Sequence, residues 1–234
     1  MITLSNSLEG FYAKKVSLAH ILCLKSAFDG SKLESELWLQ KENNHIHSVV
    51  ARHGGRLYIA SDSHYPEELK NFINVIGCAE IFTEKSTAKA LGLEIKEEFG
   101  VLYMSKNEEP MPFSSNTGLS ALYSSLSSGA DGDIFLPSFE VFAPDISHRI
   151  RHGAAVALAE EFGGALAFKS ENAAVINGIA VKKDKRQKGF GSLLLNRLIS
   201  HLHGDIFACT SGENKNFYIK NGFALIDTAV ITNP

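Results

Sequence analysis

The chain has 234 residues, of which 44% are hydrophobic and 21% charged, and its formal net charge is −3. These values are typical of a globular protein with one large or two small domains, and so small a charge gives no reason to expect a nucleic-acid or anionic-membrane partner. Three cysteines, far apart and in apolar surroundings, indicate reduced thiols and a cytoplasmic location, and no apolar run approaches the roughly 20 residues that span a bilayer.

The first hundred residues alternate between strand and helix patterns. His20 interrupts the first apolar run, which therefore predicts a core helix rather than a signal sequence. Gly54-Gly55 predicts a hairpin turn, and Pro66 followed by two acidic residues predicts a helix start. The predicted elements are a helix at 16–24, strands at 48–52 and 56–61, a helix from Pro66, a strand at 78–83, a helix at 84–91 and a strand at 93–95.

The second half repeats this order more clearly, after a Ser/Gly/Asp-rich stretch at 124–133 that predicts a loop. A polar, proline-bearing run near residues 98–112 suggests a boundary, so the chain is divided into domains 1–98 and 99–234. Together the elements predict a mixed α/β fold. They are strands at 154–160, 164–169 and 172–181, a helix at 190–202, a strand at 205–210, a helix at 213–220 and a strand at 223–232.

The most informative run of the chain joins the predicted strand at 172–181 to the helix that follows. Arg186-Gln187-Lys188-Gly189-Phe190-Gly191 contains two glycines, which allow the backbone to approach a ligand closely. The N–H groups at the start of the helix favour an anion, and five cations between Lys182 and Lys188 accompany a single acid, Asp184. The run therefore predicts a cradle for a pyrophosphate group.

Two common phosphate-binding loops are excluded by the spacing, because neither a Walker Gly-Lys-Ser/Thr nor a dinucleotide Gly-x-Gly-x-x-Gly is present. Arg-x-x-Gly-x-Gly between a strand and a helix instead resembles the acyl-coenzyme A loop of the GNAT N-acetyltransferases. Asn216-Phe217-Tyr218-Ile219-Lys220-Asn221-Gly222-Phe223 likewise resembles the segment that joins the last helix of that family to the following strand. The resemblance covers roughly residues 154–225.

This resemblance implies an acyl-CoA N-acyltransferase fold, with two tandem GNAT-like units. The first unit would be degenerate, because residues 60–65 contain neither a glycine pair nor a cation. Acetyl-CoA would be the co-substrate. Its binding residues would come from the strand before the loop, the loop itself and the last helix: Ile179, Ala180, Val181, Arg186, Gln187, Lys188, Gly189, Phe190, Gly191, Ser192 and Asn214.

A catalytic residue follows from the same resemblance. Tyr218 stands where the family has a tyrosine in its last helix, and a phenol can give a proton to a departing thiolate. A backbone N–H within residues 179–181 would donate to the oxyanion, while the same strand pairs with the pantetheine amides. The alternative for Tyr218 is an aromatic side chain that only packs beside Phe217 and Phe223.

The sequence indicates the residues that would contact the amine acceptor less specifically than those that would bind acetyl-CoA. Arg149 and Arg151 precede the first strand of the second unit, and two guanidinium groups can bind an anionic group of the acceptor. The alternative is a structural role in caps and salt bridges. Glu161 is a further candidate for contact with the acceptor. The general base stays open between Glu160, Glu161, Glu171 and water.

No metal is expected. His148 and His152 lie four residues apart and would share a helix face, but no nearby cysteine or carboxylate completes a ligand set. The pairs His45-x-His47 and His201-x-His203 are expected to be surface or packing histidines.

The sequence therefore predicts a cytoplasmic N-acetyltransferase that transfers an acetyl group from acetyl-CoA to a primary amine by direct attack in a ternary complex. Direct attack is favoured over a cysteine-bound intermediate because Cys209 falls on a predicted buried strand. The expected partner is a small-molecule or peptide amine, without nucleic acid or membrane, and a homodimer stays open. The rivals are a non-catalytic acyl-CoA sensor of the same fold and an enzyme that uses another nucleotide.

Overall fold

A computed structural model describes residues 1–5, 8, 14–28, 36–113, 118–129, 136–212 and 214–234, and within them the chain forms eleven strands and seven α-helices. The strands are β1 (Ile2–Leu4), β2 (Glu36–Glu42), β3 (His45–His53), β4 (Arg56–Ser61), β5 (Glu80–Glu84), β6 (Ile95–Lys106), β7 (Ala155–Glu160), β8 (Gly163–Lys169), β9 (Ala173–Val181), β10 (Gly204–Thr210) and β11 (Ala224–Thr232). The helices are α1 (Val16–Phe28), α2 (Pro66–Ile76), α3 (Lys85–Leu91), α4 (Leu119–Gly129), α5 (Phe139–Arg151), α6 (Phe190–Ser200) and α7 (Asn214–Lys220).

All of these strands belong to one mixed sheet with the order β1-β2-β3-β4-β5-β11-β6-β10-β9-β8-β7. Apart from β1, the order is symmetric about its middle. From either end, two antiparallel pairs are followed by one parallel pair, β4 with β5 or β9 with β10. Helix α2 connects the first parallel pair and α6 connects the second. The mixed α/β fold and the predicted duplication are therefore confirmed.

The two halves exchange a strand at the middle of the sheet. β6 follows β5 in the chain but pairs with β10, while β11 follows β10 but pairs with β5. β6 and β11 also pair with each other along most of their length, with Thr228 opposite Gly100. The predicted division between residues 98 and 99 falls within β6, and it stays a prediction.

Helices cover both faces of this sheet. Leu194 and Leu198 of α6 pack on one face against Ile206 of β10. Ala19 and Cys23 of α1 pack on the other face, where Val175 and Phe207 belong to the same buried cluster. The predicted helix at 16–24 is confirmed as α1. None of the described helices is long and apolar enough to cross a membrane.

The loop predicted at 124–133 is wrong over residues 124–129, which belong to α4. Leu122 and Leu126 are fully buried and belong to a cluster with Leu166 of β8, so tertiary packing stabilises a serine-rich helix. The Ser127 hydroxyl donates to the Tyr123 carbonyl at 2.7 Å, which satisfies a polar group that would otherwise favour a turn. Residues 130–133 lie outside the described residues.

Candidate active site

The strands β9 and β10 are paired over only part of their length. Their parallel pairing runs from Ala173 opposite Asp205 to Ile176 opposite Ala208, whereas β9 continues to Val181. At Asn177 the register of β9 against β8 shifts by one residue, which is a β-bulge that leaves Asn177 exposed. The far half of β9 therefore has one edge against β8 and one edge that β10 does not pair.

This open edge has a defined hydrogen-bonding pattern. The Lys182 N–H donates to the Phe162 carbonyl at 3.0 Å, so alternation along the antiparallel pair directs the N–H and C=O of Ala180 toward β8. The N–H and C=O of Ile179 then point to the open edge. The carbonyl of Val181 points the same way and accepts a hydrogen bond from Arg186 Nε at 3.1 Å. Ile179 is thus positioned to pair with an extended ligand.

The glycine-containing turn closes the far end of β9 and begins α6. Its backbone adopts positive φ at Gln187 (59°) and at Gly189 (82°), and Gly189 is the N-cap of α6. A Cβ atom on Gly189 would meet no atom within 4 Å, so this face of the turn opens to space. The Leu193 N–H donates to the Gly189 carbonyl at 3.1 Å, and the preceding N–H groups of the first turn have no intrahelical acceptor. The start of α6 is therefore suited to an anion.

The cations of the turn surround this helix start. Lys188 Nζ donates to the Asp184 carbonyl at 3.0 Å, and Lys185 Nζ lies 3.7 Å from the Asp184 carboxylate. The Phe190 ring stacks on Phe162 of the β7–β8 turn, with ring centres 4.4 Å apart. Stacking and hydrogen bonding thus hold the turn against β8 and leave its positive charge near the open edge.

Gly191 has a packing role that the sequence did not indicate. A Cβ atom at this position would lie 3.2 Å from Cε2 of Phe217, which is tighter than an ordinary contact. The glycine therefore allows the start of α6 to approach α7. Ser192, the next residue, is half-buried in the first turn of α6.

Tyr218 lies in α7 and is buried, with 8% of its surface exposed. Its ring contacts Phe217 and Phe223 edge to face, with ring centres 5.1 and 5.4 Å away. Burial, and then the nearby Cys209, raise the pKa of Tyr218 above its usual value, so the phenol keeps its proton at neutral pH. Asn214, the first residue of α7, is exposed, and Glu213, predicted to begin this helix, lies outside the described residues.

A cavity of about 880 Å³ lies beside the bulge, on the face of the sheet that carries α1. Both halves of the chain line it. Asn177 and Cys209 line the end nearest the parted strands, and His20 and Phe82 line the side formed by the first half. Burial, and then the charges of two arginines, lower the pKa of His20 to about 3, so its imidazole is neutral.

Arg149, predicted to contact the acceptor, lines this cavity. It is only 2% exposed, its Nε donates to both carboxylate oxygens of Asp145 at 3.0 Å, and its guanidinium carbon lies 4.3 Å from the centre of the Phe168 ring. Arg151 is exposed and its Nε donates to the Ser147 carbonyl at 3.3 Å. Arg151 therefore does not join Arg149 at the cavity.

The glutamates considered as a general base also lie away from the large cavity. Glu160 is paired with Arg197 of α6 at 2.5 Å, and Glu161 is exposed in the β7–β8 turn. Glu171 lines a separate cavity of about 430 Å³. Among the described residues, the carboxylates that line the large cavity are Asp145 and Glu80, which is hydrogen-bonded to Arg56. Sequence reasoning missed Glu80 because the two halves meet only in the folded chain.

The thiol of Cys209 is poorly suited to nucleophilic attack. Burial, together with the nearby Glu84 carboxylate, raises the pKa of Cys209 to about 12. The thiolate, which is the reactive form, is therefore scarce at neutral pH.

His148 and His152, considered as metal ligands, lie at the end of α5 with ring centres 4.3 Å apart. The ring Nε2 of His148 is 2.8 Å from the Ala27 carbonyl oxygen, and this contact ties α5 to α1. The pair is thus engaged in helix packing.

The equivalent region of the first half is occupied by side chains from its own helices. Lys15 Nζ donates to the Ser61 carbonyl at the end of β4, and Thr87 Oγ1 donates to the same oxygen at 3.4 Å. The Ser17 hydroxyl and N–H donate to the buried Glu84 carboxylate at the end of β5. The first unit thus differs from the second where a phosphate group would bind, which agrees with its description as degenerate.

The comparisons with known proteins agree with this geometry. The family model of the acetyltransferase (GNAT) domain matches residues 151–225. No curated protein matches the chain in sequence.

Several solved structures share the fold across nearly the whole chain. A GCN5-related N-acetyltransferase from Sphaerobacter thermophilus has a TM-score of 0.56 at 12% identity, covering 94% of this chain and 91% of that chain. A GCN5-related N-acetyltransferase from Kribbella flavida has a TM-score of 0.53 at 12% identity, covering 95% and 97%. A tandem GNAT protein from the clavulanic acid biosynthesis pathway has a TM-score of 0.52 at 10% identity, covering 92% and 93%. At these identities the likeness concerns the fold.

Proposed function

Because residues 151–225 match the family model of the GNAT acetyltransferase domain, we propose that this chain transfers an acetyl group from acetyl-CoA to a primary amine. The observation that carries the proposal is the parting of β9 from β10 directly beside the glycine turn of α6. An extended pantetheine arm can lie along the open edge of β9 while its pyrophosphate meets the start of α6.

Different parts of the proposed site would bind different parts of acetyl-CoA. Ile179 offers one N–H and one C=O to the pantetheine amides, with Ala180 and Val181 forming the strand around it. The N–H groups from Gln187 to Ser192 face the pyrophosphate, and the side chains of Arg186 and Lys188 add positive charge. Asn214, exposed at the start of α7, would contact the cofactor from the helix that follows β10.

The reaction needs one attack and two proton transfers. The neutral amine nitrogen attacks the thioester carbonyl carbon, and a backbone N–H at the open edge of β9 donates to the oxyanion that forms. As the carbon–sulfur bond breaks, Tyr218 gives its phenolic proton to the departing sulfur. The amine proton passes to water, because the described glutamates near the second unit lie away from the large cavity.

The acceptor would enter through the large cavity on the α1 face. Its lining includes Asp145 and Glu80, whose negative charge attracts an ammonium group although arginines neutralise part of it. Arg149 stays a candidate either for contact with the acceptor or for a structural role in the lining of the cavity. Arg151 and Glu161 lie elsewhere and are weaker candidates on geometric grounds.

Calorimetric titration with acetyl-CoA tests the cradle. The Gly189→Glu variant places a carboxylate where the turn opens, so we expect its acetyl-CoA affinity to fall at least tenfold. Gly153→Glu is the matched control, because Gly153 also has positive φ (68°) and no atom within 4 Å of its Cβ position. Gly153 precedes β7, which begins at the end of the sheet opposite the turn, since Ala155 lies opposite Phe168 and Phe168 opposite Val175. Equal loss of affinity in both variants, or no binding by the parent, would contradict the proposal.

Turnover with a panel of amines tests the chemistry. Tyr218→Phe removes the hydroxyl but keeps the ring that packs against Phe217 and Phe223, so we expect folding and acetyl-CoA affinity to be kept and kcat to fall about 100-fold or more. Tyr103→Phe, which removes a hydroxyl bonded to Asp205 on β10, should keep its kcat. Acetyl-CoA binding without turnover on any amine would favour the sensor, and competition by ATP or NAD would favour another nucleotide.

A further inference from the structure

A cluster of metal-binding side chains lies in the first half of the chain. His45 and His47 are two residues apart on β3, and their ring centres lie 4.6 Å apart. Asp62 follows β4, the neighbouring strand, and its N–H donates to the His47 carbonyl at 2.9 Å. We call these three residues the His-Asp cluster.

The three side chains converge on one point. One ligand atom from each lies within 4.8 Å of the others. Among the described residues, this is the group of three His, Cys, Asp or Glu side chains that is compact enough to hold a metal ion. His45 Nε2 lies 3.7 Å and His47 Nδ1 lies 2.9 Å from the same oxygen of Asp62. Ligands of a tetrahedral zinc ion are about 3.3 Å apart, given metal–ligand distances of about 2.0–2.1 Å. Small side-chain rotations are therefore enough to admit an ion.

Neighbouring groups fix the cluster in place. The His64 N–H donates to the other carboxylate oxygen of Asp62 at 2.9 Å, which orients the oxygen that faces the histidines. The His64 ring stacks on His47 at 4.8 Å, and the Tyr65 ring meets His47 edge to face at 5.0 Å. Outer contacts of this kind hold metal ligands in a productive orientation.

The donor set selects the ion. Two imidazoles and one carboxylate suit zinc and its neighbours among the divalent transition metals, whereas magnesium and calcium prefer oxygen ligands. The side chain of His45 is 68% exposed and that of His47 only 10%, so an ion would reach the cluster from solvent and keep an open coordination position. None of the three residues lines the large cavity.

We propose that His45, His47 and Asp62 form a binding site for a zinc-like divalent transition metal ion. The bound ion links β3 to the segment between β4 and α2, and thereby stabilises the first half of the chain. The site is independent of the acetyl-transfer chemistry proposed for the second half.

Titration of metal-free, untagged protein with zinc chloride tests this site, since a polyhistidine tag would itself bind zinc. We expect one zinc ion per chain, and visible absorption from cobalt(II) bound in the same site. His45→Ala and Asp62→Asn should each weaken zinc binding by at least about tenfold, since even loss of an outer-shell partner typically costs 10- to 100-fold. Magnesium should not compete.

The His201→Ala/His203→Ala double variant is the matched control, because it removes another exposed His-x-His pair and should keep the affinity of the parent. Circular dichroism of each metal-free variant checks that the fold is kept, and exposed His45 can be replaced with little structural cost. Absence of saturable zinc binding, or equal affinity in the parent and the His45→Ala variant, would overturn the proposal.

Discussion

Burial affects the reactivity of two neighbouring side chains of the candidate active site in opposite ways, although it acts on both in the same direction. It keeps both the Tyr218 phenol and the Cys209 thiol protonated. A protonated phenol can serve as an acid toward a departing thiolate, whereas a protonated thiol is a poor nucleophile. The same environment therefore favours direct attack by the amine over an acetyl-cysteine intermediate.

Replacement of Cys209 separates these two routes. We expect Cys209→Ala to keep kcat within about threefold, because direct transfer does not use the sulfur. Steady-state kinetics with acetyl-CoA and an active amine measures this, and mass spectrometry of the parent after mixing with acetyl-CoA alone should find no acetylated cysteine. Complete loss of turnover in a folded Cys209→Ala variant would contradict direct attack.

His20 gives the stability of the protein a dependence on pH. Its pKa is about 3 in the folded chain and about 6.5 when unfolded, so between these values the unfolded chain binds more protons and stability falls as pH falls. From pH 7 to pH 5 this single group should cost about 2 kcal/mol.

Urea unfolding of His20→Gln and the parent at pH 7 and pH 5 checks this value. The variant should lose less stability over this interval than the parent, by about 2 kcal/mol. His152→Gln, which replaces an exposed histidine, should behave like the parent. Equal losses in the parent and His20→Gln would show that the His20 imidazole becomes protonated in the folded chain.

Single residues were predictable from the sequence only where neighbours in the chain are also neighbours in space. The turn from Arg186 to Gly191 is such a case, since glycine and charge placement are local properties. Even there, the contact between Gly191 and Phe217 depends on a second helix and could not be deduced. The cavity side chains His20, Phe82 and Glu80 come from distant segments, so no local pattern identified them.

At the scale of elements, the open edge of β9 connects the fold to the proposed function. Along this part of β9, residues whose N–H faces the open edge alternate with residues whose N–H faces β8. Proline should have different effects at the two kinds of position. Proline at Ile179 removes an N–H that faces the opening, and proline is tolerated where the N–H of a strand is unpaired. Proline at Ala180 removes an N–H directed toward β8, which weakens the sheet itself.

We therefore expect Ile179→Pro to fold with a melting temperature near that of the parent but to bind acetyl-CoA at least tenfold more weakly. Ala180→Pro should instead lower the melting temperature markedly, since proline in the middle of a sheet removes a ladder hydrogen bond. Thermal denaturation and calorimetry on both variants measure the difference. Normal acetyl-CoA affinity in Ile179→Pro would exclude backbone pairing at this position.

Helices α4 and α5 show where element prediction failed. Five serines in α4 favoured a loop, yet its buried leucines pack against the sheet and outweigh weak helix propensity. Helix α5 was not among the predicted elements, and it contains Pro144, a residue that is unfavourable in a helix interior. In contrast, α1 and α6 have long apolar runs and were predictable, as were most strands of the second half.

At the scale of the whole molecule, the duplication was predictable from the repeated order of elements, but the exchange of β6 and β11 was not. Strand order within a half follows from local connections, whereas the choice between the partners β5 and β10 depends on contacts far apart in the chain. The parallel pairs and their crossover helices appear in both halves, and only the central strands reveal how the halves join.

Removal of a central strand should therefore cost more than removal of an edge strand. We expect deletion of residues 224–234 to abolish cooperative unfolding, because it leaves β5 and β6 each with one unpaired edge in the middle of the sheet. The loss of both pairings should exceed the usual net stability of about 5–15 kcal/mol. Deletion of residues 1–5 removes β1, the edge strand of the described sheet, which pairs with β2, and should lower the melting temperature by several degrees. Calorimetric scans of both truncations test this contrast, which a cooperative transition in the first truncation would contradict.

The central place of β11 also has a consequence during translation. Ribosomes make this strand after all the others described, yet it occupies the middle of the finished sheet. Until it emerges from the exit tunnel, the nascent chain presents two bare strand edges, and such edges pair readily with other chains. The incomplete protein is thus prone to aggregate until β11 has emerged, and a chaperone that shields nascent chains would benefit it most during that interval.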